Sequence, residues 1–86
     1  MEKEVIINGK KFVVRELLAK EYRTISYPKF TDTEEEKKLK QEQSDKQEIL
    51  ISTGISADDY DKLTTKEFLT LKKELLKINV PDNDFQ

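Results

Sequence analysis

Hydrophobic residues follow two different rhythms along this chain. Near the start, Val5-Ile6-Ile7 and Phe12-Val13-Val14 are short runs rich in β-branched and aromatic residues, and Asn8-Gly9 lies between them. Asn-Gly is a strong short-range hairpin signal because both residues accept the positive φ that a tight turn demands. The pattern predicts a hairpin over residues 4–14. Side chains alternate along a strand, so Val5, Ile7, Phe12 and Val14 share one face, directed at a core. Ile6 and Val13 point the other way, beside Glu4 and Lys11. Two readings of that pair stand: ordinary semi-exposed strand residues, or a contact with a neighbouring subunit.

From Leu17 onward the spacing becomes helical. Leu18, Tyr22 and Ile25 recur at i, i+4 and i+7, which predicts a helix over about 17–26, stopped by Pro28. Residues 31–48 are highly charged and hold one apolar side chain, Leu39. Thr31-Asp32-Thr33-Glu34 can form a capping box, and Glu34/Lys38, Glu36/Lys40 and Glu42/Lys46 are i, i+4 pairs in the favourable order. These features favour a solvated helix over a mobile loop, with its first half frayed or projecting. The helix, over about 33–53, turns apolar at Ile49-Leu50-Ile51. Gly54 is placed to terminate it and to bring Ile55 over Leu50. Ser56-Ala57-Asp58-Asp59-Tyr60 reads as one short capped turn. Thr64-Thr65-Lys66-Glu67 is a second capping box, opening a last helix over about 64–78. Phe68, Leu71, Leu75 and Ile78 form its stripe, widened by Leu69 and Leu76. Pro81 ends it, leaving 81–86 as a loose tail.

The expected fold is α+β and mostly helical: one domain over residues 1–86, with an N-terminal hairpin packed on about three helices. The expected core is Val5, Ile7, Phe12, Val14, Leu18, Tyr22, Ile25, Leu50, Phe68, Leu71 and Leu75. One internal echo runs through it. Leu17-Leu18-Ala19-Lys20-Glu21-Tyr22-Arg23-Thr24-Ile25 reads like Leu63-Thr64-Thr65-Lys66-Glu67-Phe68-Leu69-Thr70-Leu71. Shared helix-start chemistry accounts for it, with an acidic residue in the first turn and apolar residues at helical spacing; a true duplication is the other reading.

Composition sharpens the picture. Of 86 residues, 35% are hydrophobic and 40% charged, so the core is lean for a chain that buries only about 60–65% of its unfolded surface. Self-association or partner binding is the expected source of further burial. With no Cys and no His, disulfides, zinc fingers and the usual nucleophile–base pairs are excluded. Glycine occurs only at positions 9 and 54, so there is no phosphate-cradling loop. Asp58, Asp59 and Asp61 lack the glycine and downstream glutamate of an EF-hand loop and read as capping and solvated charges. No catalytic, cofactor-binding or metal-ligating residue is expected, and the chain reads as no enzyme. The net charge is −2 and the pI about 5.2, with both signs interleaved, which argues against a nucleic-acid binder. Only three apolar residues follow Met1-Glu2-Lys3-Glu4, and no run approaches the ~20 residues of a membrane span, so neither a leader nor a membrane role is expected.

Taken together, these elements resemble a phage tail assembly chaperone. The likeness is to the small ones encoded just before the tape measure protein in long-tailed phages of Gram-positive hosts. It spans about Val5 to Leu76. It rests on Ile6-Ile7-Asn8-Gly9-Lys10-Lys11-Phe12-Val13-Val14 followed by Arg15-Glu16-Leu17, on Lys20-Glu21-Tyr22, on the charged middle, and on Leu63-Thr64-Thr65-Lys66-Glu67-Phe68. The resemblance implies a non-catalytic protein that binds the long helical tape measure protein in the host bacterial cytoplasm and keeps it soluble. It also implies absence from the mature virion, a homo-oligomer, and recruitment of tail tube protein through a longer frameshifted form. Apolar side chains left over from the core would meet the client, and Ile6, Val13, Leu69 and Leu76 are the candidates. The competing readings are a small phage regulatory or adaptor protein that binds DNA, and a minor structural protein of the tail.

Overall fold

The computed structural model describes residues 2–79. Among these the order is β1 (Glu2–Ile7), β2 (Lys10–Arg15), α1 (Ala19–Tyr22), α2 (Glu34–Thr53), α3 (Ala57–Asp61) and α4 (Thr65–Asn79). This is the expected α+β arrangement, 56% helical and 15% strand. The tail 81–86 and the stop at Pro81 lie outside the described residues.

The hairpin is longer than expected but has the expected register. Val5 pairs with Phe12 and Ile7 with Lys10, leaving Asn8-Gly9 as a two-residue loop. Both loop residues sit at positive φ, 52° and 81°, the mirror-image turn whose twist matches the strands. Val5, Ile7, Phe12 and Val14 turn inward, as alternation requires, and pack with Ile49 of α2 and Leu71 and Leu75 of α4. Val14, Ile49 and Leu71 are completely buried.

The first helix departs from expectation. It is a single turn, Ala19–Tyr22, rather than a helix over 17–26. The backbone before it is extended, with Leu18 at φ −79° and ψ 153°, so the i, i+4 stripe never forms. Leu17 is buried in place of the expected Leu18, which is half exposed. The cause is a side-chain anchor: Asn79 Oδ1 accepts a hydrogen bond from the Leu17 N–H at 2.8 Å, while its amide nitrogen donates to the Leu75 carbonyl. Past Tyr22 the chain closes into turns, and Ile25 is buried while Tyr22 is only partly so.

The charged middle is one continuous helix. Its capping box lies two residues beyond the expected one: Thr33 Oγ1 accepts from the Glu36 N–H and Glu36 Oε1 from the Thr33 N–H. The expected i, i+4 ion pairs are replaced by other partners. Lys40 Nζ reaches Asp32 at 3.0 Å, Lys37 faces Glu34, and Lys46 lies over the Tyr60 ring. No residue from 34 to 43 is buried, so the first half of α2 projects. The buried residues of its second half are Ser44, Ile49 and Ser52. Leu50, expected in the core, is only partly buried because Ile49 faces the hairpin instead. Gly54 closes α2 in the left-handed conformation, φ 73°, with its N–H on the Leu50 carbonyl, and Ile55 packs against the core. Phe68 is likewise partly buried rather than central.

Candidate partner-binding surface

Each end of β2 carries a cation that holds the glutamate of a helix start. At one end, Arg15 donates two hydrogen bonds to Glu21, at 2.9 and 2.7 Å, while Glu21 accepts from the Leu18 N–H. The guanidinium and that backbone contact together lower the Glu21 pKa to about 2. At the other end, Lys10 Nζ lies 3.4 Å from Glu67, whose carboxylate also accepts from the Thr64 N–H. That backbone bond, with help from the Thr64 hydroxyl and Lys10, outweighs burial and holds Glu67 below the usual carboxylate range. The two echoing segments therefore share a real device, a third-position glutamate returning to the backbone. They diverge in length, four helical residues against fifteen.

A second polar cluster joins α2 to α4. Lys72 Nζ donates to Asp45 at 2.6 Å and to Glu48 at 3.0 Å, and the Tyr27 hydroxyl donates to the same Glu48 at 2.7 Å. Burial works against the Lys72 charge, but the two carboxylates win and raise its pKa. Burial and the Glu48 hydrogen bond also raise that of Tyr27. These groups are consumed by one another and hold the helices in place.

Among the exposed charges stand several large apolar side chains. Ile6 is 71% exposed, Val13 39%, Leu69 58% and Leu76 59%. Ile6 and Val13 lie on the outer face of the hairpin, flanked by the Lys11–Glu4 ion pair. Leu69 and Leu76, seven residues apart, share one stripe of α4 away from buried Leu71 and Leu75. Because α4 packs on the inner face of the hairpin, the four do not make one patch; they make two.

Three more apolar residues are exposed: Leu18, expected in the core, Leu39, in the stretch read as solvated, and, above all, Phe30, which is 96% exposed. Phe30 sits in the bend between α1 and α2. The bend is closed by Asp32 N–H to the Lys29 carbonyl and by Lys29 N–H to Asp32 Oδ2 at 2.7 Å. The available signal was position: an aromatic residue in a turn, outside every periodic stripe. The structure also shows an open groove of about 370 Å³ where α3 meets α4, lined by Tyr60, Asp61, Leu63, Thr64, Thr65 and Phe68. Two of its lining side chains are aromatic, with the Tyr60 and Phe68 rings edge to face at 6.3 Å.

Comparison with protein-family models, with curated proteins and with solved structures finds no match.

The functional reading therefore rests on the residues themselves. Among the described residues no cluster of three or more Asp or Glu could hold a metal ion, and no helix is long and apolar enough to cross a membrane. Asp58, Asp59 and Asp61 are exposed on α3. The helix starts at Ser56, whose hydroxyl accepts from the Asp59 N–H.

Proposed function

We propose that this protein is a non-catalytic phage tail assembly chaperone that binds an apolar helical segment of a tape measure protein and keeps it soluble. The reading starts from the sequence resemblance described above. The observation that carries it furthest is the exposure of all four apolar residues assigned to the client, Ile6, Val13, Leu69 and Leu76. A helical client hides its apolar face by laying it against apolar surface on its partner. A protein whose lean core leaves two such surfaces uncovered is suited to that task. Among the described residues each strand of the hairpin has one edge unpaired by another strand, and such an edge offers self-association a further route.

Co-expression tests the reading. The tape measure protein encoded alongside is expected to be insoluble alone and soluble with this partner. If its solubility is the same with and without the partner, the chaperone reading fails. Retention of DNA by the purified protein at physiological salt would point to the regulator instead, and its presence in purified virions to a structural role.

A further inference from the structure

Resting on the chaperone reading, we infer that the client segment docking on α4 is an acidic helix, one whose apolar stripe is flanked by Asp or Glu that meet Lys66, Lys73 and Lys77. The two acids of α4 both turn inward. Glu67 and Glu74 are taken by cations of the hairpin, Glu67 by Lys10 and Glu74 by Lys3. On the flank facing α2, Lys72 is held by Asp45 and Glu48. What α4 shows to solvent is therefore of one sign. Lys66, Leu69, Lys73, Leu76 and Lys77 are exposed, and at about 100° per residue they fall within about a third of the helix circumference. Among the described residues Lys66 and Lys73 form no ion pair, and Lys77 shares Glu74 with Lys3.

The other charges of the neighbourhood lie to its sides and ends. Glu2 and Glu4 of β1 turn to the opposite face of the hairpin, where Glu4 meets Lys11. Glu42 and Lys46 line the side of α2 that meets Tyr60. Asp58, Asp59 and Asp61 precede Lys62 on α3, and Asp82 and Asp84 follow in the sequence beyond the described residues. Lys62 is therefore set against the acids of α3, and the cationic character belongs to Lys66, Lys73 and Lys77.

The seven-residue spacing decides what kind of partner fits. Positions seven apart return to nearly the same direction, so Leu69 and Leu76 make a strip one side chain wide and about 10 Å long. A second helix can follow such a strip at a small crossing angle, whereas a bilayer takes a wider apolar face. The lysines beside the strip then select the partner. Exposed ion pairs contribute little affinity each, yet charges of one sign on a rim discriminate between partners.

Two stapled helical peptides, each about three heptads long, serve as probes: they share one leucine pattern, flanked by glutamate in one and by lysine in the other. Fluorescence anisotropy with the intact protein should show the glutamate peptide binding at least about tenfold tighter, a ratio that shrinks several-fold between about 50 mM and about 500 mM salt. Lys66→Glu with Lys73→Glu should reverse the preference with an unchanged circular dichroism spectrum, since both side chains are exposed. Leu76→Ser should weaken the glutamate peptide by the same factor at either salt. Binding of neither peptide, equal binding of both, or a preference that survives the double reversal would overturn the proposal. So would displacement of the glutamate peptide at physiological salt by phosphatidylglycerol vesicles or by duplex DNA, which would assign the face to a membrane or a nucleic acid. The two readings fail separately. A client kept soluble in co-expression, without any charge preference among the peptides, sinks this inference alone; a charge preference without a soluble client sinks the chaperone reading.

Discussion

Glu67 is 99% buried by its neighbours, and its carboxylate lies 3.4 Å from Lys10 Nζ on the facing strand. A buried acid of this kind is tolerated because its carboxylate has polar partners, the Thr64 N–H and the Lys10 ammonium. It adds a charged link between the hairpin and the start of α4 to the apolar packing of the two.

Removing that carboxylate should therefore loosen two elements together. Glu67→Gln keeps an acceptor for the Thr64 N–H and loses only the charge. Glu67→Ala loses the cap and leaves the backbone donor unpaired. Urea midpoints are expected in the order wild type, Gln, Ala. Equal midpoints for all three would mean that the cap is not formed in solution.

Acid should act through the same class of group. Glu21 is held at about 2 by Arg15 and the Leu18 N–H, and Glu67 is also lowered. Both folded pKa values lie below the unfolded value of about 4.3. Their stabilising contribution is thus fully present above that value and is lost as the pH falls toward the folded pKa values. Thermal melts between pH 7 and pH 2 should show a decline below about pH 4.5. In Glu21→Gln the decline should be shallower, because the variant begins without part of what acid removes. A parallel decline in both would exclude Glu21 as a contributor.

Core substitutions should separate neighbours in sequence. Ile49 has no exposed surface, so Ile49→Ala should cost about 3 kcal/mol. Leu50, only partly buried, should cost about 1.5 kcal/mol when cut to Ala. Phe68→Ala should cost about 2 kcal/mol, less than for a fully enclosed ring. Chemical denaturation of the three variants checks the order. A larger loss at Leu50 than at Ile49 would mean that α2 is rotated.

Surface leucines should show the opposite behaviour. Leu69→Ser and Leu76→Ser remove mostly exposed apolar area, so the melting temperature should move much less than for Ile49→Ala. Under the proposed function the same pair should reduce the yield of soluble client in co-expression. Unchanged client yield would release the α4 stripe from its assigned role. The effect should vary little with salt, since apolar burial is not screened as charge contacts are.

The hairpin could be read residue by residue because Asn8-Gly9 admits one register and alternation then assigns every face. The last helix was equally clear, since Thr64 and Glu67 mark its start and Leu71 and Leu75 its buried side. The middle was harder for a specific reason. The buried side of α2 consists of Ser44, Ile49 and Ser52, and two serines carry no hydrophobic signal. Their hydroxyls are satisfied by carbonyls, Ser44 at Gln41 and Ser52 at Arg15. The exchange of Leu17 for Leu18 arises from Asn79, sixty-two residues away, beyond the reach of any local pattern. The candidate surfaces divide in the same way. Ile6 and Val13 stand on the outer side of the strand alternation and Leu69 and Leu76 at the margin of a helical stripe, whereas Phe30 belongs to no period.

The projecting half of α2 has a consequence for how this protein can change over generations. Between residues 34 and 43 nothing is enclosed, and apart from Glu36 at the cap and Lys40 at Asp32, one charge there can be exchanged for another at almost no energetic cost. Drift should be rapid along that arm and slow at two inconspicuous serines, both enclosed, where even a modest enlargement would push α2 away from its neighbours. Kinship to this chain would then be written less in its abundant charges than in Ser44, Ser52 and Asn79.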